Sequence, residues 1–121
     1  MSYEFYKVLH LIGIFLLLLA LGGIGYHVIT GGTRDFAGRK WFAILHGVAL
    51  VITLVAGFGL LGRLELMTSM PAWAITKILI WLWMGVAPTL LYRHRQIAKP
   101  LWLTIFLLAS ASAWLAVFKP F

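Results

Sequence analysis

Four long apolar runs, broken by three short polar stretches, make up almost the whole chain: Phe5 to Thr30, Trp41 to Gly62, Ala72 to Tyr92 and Pro100 to Phe118. A helix that crosses a bilayer needs roughly 20 mostly apolar residues, and each run meets that length. The breaks carry turn chemistry. Gly31-Gly32-Thr33 marks the first, Thr68, Ser69 and Pro71 the second, and Pro100 opens the fourth run, where the first turn of a helix tolerates proline. Short connections make consecutive helices antiparallel neighbours, so the expected fold is all-α, an integral membrane four-helix up-down bundle. One such bundle uses residues 1–121 as a single transmembrane domain.

Composition sharpens this picture. The chain is 63% hydrophobic and 11% charged, whereas soluble domains are about half apolar and about a quarter charged. The first run exceeds the apolar core of a signal peptide and is read as a retained helix. Cysteine is absent, which excludes disulfides, thiolate metal sites, iron–sulfur ligation and covalent haem attachment through a CxxCH motif. The net charge of +7 reports topology rather than an affinity for nucleic acid. Arg34, Arg39 and Lys40 fill the first connection and Arg93, Arg95 and Lys99 the third, while the second has Arg63 offset by Glu65. The positive-inside rule then puts connections one and three in the cytoplasm of a bacterial-type inner membrane, with both termini outside; Lys7 and Lys119 run against it. Tyr3, Tyr6, Trp41, Trp73, Tyr92 and Trp102 stand near run ends, as interfacial aromatics do. Pro88, inside the third run, is expected to kink it.

Candidate chemistry is confined to few residues. His10, His27, His46 and Lys77 lie inside the apolar runs, where an imidazole or ammonium needs a partner, a cofactor or a wet cavity. His10 and His27 are about 25 Å apart along one helix and roughly 100° apart around it, too far for one small site. Depth therefore sorts the candidates into an inner group, His27 and His46 with His94 near the next helix end, and an outer group, His10 with Lys77. Facing imidazoles on adjacent helices can hold haem iron in a bundle. Lys77 needs an anion, yet the carboxylates are Glu4, Asp35, Glu65 and the C-terminus, all at run ends. A haem propionate would supply the missing charge. Met84, seven residues after Lys77 on nearly the same face, offers a thioether as a further axial ligand.

Each residue also has a plainer reading. A buried imidazole can bond a helical carbonyl, a lysine can snorkel, a methionine can pack, and Trp81, Trp83 and Trp114 can fill a bundle as well as wall a porphyrin. His94, within Arg93-His94-Arg95, reads as an interfacial residue. A bare copper or zinc site from His27, His46 and His94 ranks below haem, because no carboxylate or thiolate completes it. No Ser-His-Asp set, glycine-rich phosphate loop or HExxH motif supports hydrolysis.

The segment Phe5-Tyr6-Lys7-Val8-Leu9-His10-Leu11-Ile12-Gly13 resembles the opening of the HemJ-type protoporphyrinogen oxidase family. Trp73-Ala74-Ile75-Thr76-Lys77 resembles that family's tryptophan, three residues, lysine motif, and Leu54 to Leu61 is similar in character. Small CopD-like and SirB-like four-helix membrane proteins share this texture. The resemblance implies a b-type haem protein in which His10 is an axial ligand or essential group and Lys77 is functionally required. It covers about half the chain, and Gly22 to His27 replaces the proline-arginine segment associated with the family's first helix.

The resulting expectation is a membrane protein that binds one or two non-covalent b haems and transfers electrons, with a porphyrinogen or quinol as donor. His10, His27, His46 and Met84 are the cofactor-binding candidates, with the three histidines on the metal and Lys77 as the catalytic or propionate partner. The alternatives are a cofactor-free transporter or channel subunit whose histidines and Lys77 line a polar path, and a membrane assembly factor. Small residues, Gly13, Gly22, Gly23 and Gly25 in the first run, Gly47, Ala49, Gly57 and Gly59 in the second and Ala109 to Ala113 in the fourth, allow close helix approach, a homodimer, or room for a flat ligand.

Overall fold

The computed structural model describes residues 2–119, and among these the secondary structure is helical throughout. Helix α1 spans Tyr3–Ile29, α2 Arg39–Arg63, α3 Ala72–Arg93 and α4 Ala98–Phe118, with one 3-10 turn, Arg95–Ile97, before α4. All four are long and apolar enough to cross a membrane. Their ends are set by local chemistry. The Ser2 hydroxyl accepts a hydrogen bond from the Phe5 N–H (3.2 Å), and Glu4 in the first turn complements the helix dipole. Helix α1 closes in a Schellman turn: Gly31 N–H donates to Val28 O (3.0 Å) and Gly32 N–H to His27 O (2.8 Å). Gly31 takes the left-handed conformation this requires, with φ 97°. Helix α2 closes the same way, through Glu65 N–H to Gly62 O (3.1 Å) and Leu66 N–H to Leu61 O (2.9 Å). There the left-handed position is held by Glu65, with φ 59°.

Helices α1 and α2 form the tightest pair, and the reason is the absence of side chains at the contact. A Cβ at Gly13 would lie 2.8 Å from the Thr53 N, and Cβ atoms at Gly23 and Gly59 would strike the rings of Phe42 and Tyr6. These pairings, 13 with 53, 23 with 42 and 59 with 6, run in opposite directions along the two helices and fix an antiparallel register. Small residues let the backbones approach where lipid provides no hydrophobic drive. Helix α4 leans on α1 by laying the Trp102 indole over Gly25. The main core joins Leu17, Leu21 and Ile24 of α1 to Ala49, Met84, Leu91 and Ile105 of the other helices, with Leu21 and Leu91 fully enclosed. A smaller cluster of Leu61, Trp73, Ala74 and Leu115 closes the end that carries the chain termini. Outward positions are also apolar, among them Phe15, Val51 and Val117, as expected of helix faces that meet lipid.

The first and third connections meet at the opposite, arginine-rich end. Arg95 Nη2 donates to Gly31 O (2.8 Å), and the Arg34 guanidinium lies 5.4 Å from the Tyr92 ring centroid.

Candidate functional site

His10 and Lys77 come together at the termini end. His10, on α1, faces α2, where its Nδ1 lies 2.8 Å from Thr53 O. A carbonyl only accepts, so Nδ1 carries the proton and Nε2 keeps its lone pair. The ring rests on Gly57, whose absent side chain makes room for it, since a Cβ there would lie 3.2 Å from the imidazole Cε1. Thr53 is itself fixed, its hydroxyl donating to Ala49 O (2.7 Å). This is the arrangement of a metal-ligating histidine, one nitrogen held by a carbonyl and the other available.

Lys77, on α3, is half-buried at the same end of the bundle. Lys119, just past the end of α4, is a second cation at this end. Lys119 is secured elsewhere: its Nζ donates to Ala116 O (2.7 Å) and lies 5.4 Å from the Trp73 ring centroid. The terminal carboxylate considered as a partner for Lys77 lies outside the described residues. Lys77 and Lys119 thus bring two cations to the end of the bundle that carries His10.

His46 and Met84 belong to a different construction. Pro88 has no N–H, so the carbonyl four residues earlier, that of Met84, loses its helical donor. The His46 Nε2 supplies a replacement from α2, 3.0 Å away. One turn along, Trp81 Nε1 donates to Leu50 O (3.0 Å), a second tie between the same helices. Met84 is 4% exposed and packs in the main core. His27 holds the first connection: its Nε2 donates to Thr33 O (2.8 Å), and its ring stacks on Phe36 with 3.8 Å between centroids. Gly32 lies against that ring, where any Cβ would collide. His94 is the exposed C-cap of α3. No group of three or more His, Asp or Glu gathers as a metal would require among the described residues.

At His10 the structure thus offers a single imidazole donor held through Nδ1. Two surface depressions lie elsewhere, one in the apolar seam of Leu18, Trp102 and Phe106, the other beside His46. Sequence reading missed Thr53, although it stands seven residues after His46 on the same face. It also missed the consequence of Pro88 for Met84, which the i to i−4 rule contains.

Fold and site together define an all-α bundle of four helices able to span a membrane, with a cationic, imidazole-bearing site at one end. No protein-family model, curated protein or solved structure matches the chain.

Proposed function

We propose that this chain is an integral membrane b-type haem protein in which His10 Nε2 is the axial ligand and Lys77 the partner of a propionate. What supports the reading is an imidazole fixed through Nδ1 on Thr53 O at the same end of the bundle as the half-buried Lys77. When bound, haem supplies one-electron chemistry; the bundle supplies ligation, insulation and charge compensation. Thr53 and Gly57 orient the imidazole, and Lys77 offsets the carboxylate tails. The physiological donor is a lipid-soluble reductant, a porphyrinogen or a quinol. The arginine-rich end faces the cytoplasm of a bacterial-type inner membrane, which puts the His10 site near the outer surface.

This reading takes His10 as the ligand because it shares its end of the bundle with Lys77, whereas the His27 ring is stacked on Phe36 and His46 serves the Met84 carbonyl freed by Pro88. Absorbance of the protein purified in mild detergent tests it. Wild type and His46→Ala are expected to show a Soret band, and His10→Ala to lose it. Lys77→Ala keeps most of the haem but shifts its midpoint potential. A colourless wild type that takes up no added hemin, or a His10→Ala variant with an unchanged spectrum, overturns the proposal in favour of the transporter alternative.

A further inference from the structure

At the arginine-rich end, a cleft of about 340 Å³ opens between α2 and α3, lined by Arg34, Arg39, His46, Thr89 and Tyr92 over an apolar wall that includes Ile24 and Pro88. That volume lies in the range of small-ligand sites, roughly 300–1,000 Å³. No Asp or Glu lines it. Its positive charge is therefore uncompensated within the cleft, and three features hold that charge in place. The Arg34 guanidinium packs 5.4 Å from the Tyr92 centroid. Arg39 is within electrostatic reach of the same phenol. Arg39 is also the first residue of α2, a helix with no acidic residue in its first turn and no side-chain cap, so the helix dipole adds to the potential.

The shape specifies more than a free anion. Ala43, Gly85 and Thr89 are small or short residues along the flank of the cleft, and Ala43 and Thr89 are exposed. They line the depression together with the exposed Arg34 and Arg39 and the buried His46, so charged and apolar surface share one cleft. A ligand that fills both parts has an acidic head and an alkyl body. Arginine forks pair bidentately with phosphate oxygens, and basic pockets between membrane helices hold anionic lipid heads.

We propose that this cleft binds the phosphate headgroup of an anionic phospholipid, held by Arg34 and Arg39 with the Tyr92 and Thr89 hydroxyls as neutral donors. The site is separate from His10, and its test does not depend on haem.

The experiment is thermal denaturation of the purified full chain in neutral detergent, titrated with short-chain phosphatidylglycerol, short-chain phosphatidylcholine or inorganic phosphate. A ligand that binds the folded state alone raises the midpoint saturably. Phosphatidylglycerol is expected to do so, and the other two are not. Arg34→Gln with Arg39→Gln should weaken the apparent affinity at least about tenfold, the loss of about 1.4 kcal/mol or more. Lys40→Gln with Arg93→Gln removes the same charge from exposed positions at the same end and should leave affinity within about twofold. Should the double arginine variant fail to fold, Tyr92→Phe with Thr89→Val, which preserves shape, must weaken binding instead. Equal losses in both charge pairs, a shift produced by phosphate alone, no saturable shift with phosphatidylglycerol, or full affinity in the hydroxyl-less variant overturns the proposal.

Discussion

The tie between His46 and the Met84 carbonyl is a repair made by one residue for another. Proline at 88 removes a donor from α3, and an imidazole on α2 restores it from outside the helix at 3.0 Å. Interhelical hydrogen bonds in membranes contribute about 0.6–2 kcal/mol, so His46→Ala is expected to destabilise the bundle by about that amount. The same substitution should cost less in a Pro88→Ala background, where the restored backbone N–H can satisfy Met84 O. A double-mutant cycle read by SDS-induced unfolding checks this, with a coupling of about 1 kcal/mol expected; additive effects would separate His46 from Pro88. Glu65 gives a second residue-scale case, because it occupies a left-handed position, φ 59°, that favours glycine. Glu65→Gly is expected to stabilise by about 0.5–1 kcal/mol, the left-handed penalty of about 1–2 kcal/mol less the added freedom of the unfolded chain. An unchanged unfolding midpoint would count against it.

At the scale of the helices, the α1 to α2 contact depends on what is missing from its glycines. Gly13→Val puts side-chain atoms where Thr53 already sits, and overpacking of this kind costs about 1–3 kcal/mol. Gly22 meets nothing within 4 Å, so Gly22→Ala is expected to be neutral or to stabilise by up to about 1 kcal/mol. Unfolding of the two variants side by side distinguishes a packed glycine from an open one. Gly13→Val should also move His10 away from Thr53 O and, if the proposed haem is bound there, lower its content. The existence of the four helices was legible in the apolar runs, because length and continuous hydrophobicity fix a span without knowledge of its partners. Helix ends were legible too where they rest on local chemistry, as at Gly31 and Pro100. The facing of the histidines was not. Depth followed from counting residues along each helix, but depth grouped His27 with His46, while the structure turns His27 onto Phe36 and Thr33 and His46 onto Met84. Azimuth depends on helix rotation, which is set by contacts such as Gly13 on Thr53 that no single run reveals. Arg34 and Arg39 were read as topology signals; that they also line a cleft emerges only when α2, α3 and the first connection are assembled.

For the molecule as a whole, charge is distributed by end. Arg34, Arg39, Lys40, Arg93, Arg95 and Lys99 gather at the end where the first and third connections meet, and the positive-inside rule turns this asymmetry into a testable prediction of orientation. The chain has no cysteine, so single introduced cysteines report topology without background. In intact cells a membrane-impermeant maleimide is expected to label Thr68→Cys and to reach Ala37→Cys only after the inner membrane is opened. The reverse pattern would invert the molecule and place His10 near the cytoplasm.

The unequal closeness of the helix pairs has a consequence for how the molecule is made. Glycines seat α1 against α2 backbone to backbone, so this first hairpin has its mating surface before the third helix leaves the ribosome, synthesis proceeding from the N-terminus. The second half of the chain is then expected to assemble on that platform. The looser boundary between the halves, bridged by His46 and Trp81, is the last join to be made and the first expected to yield.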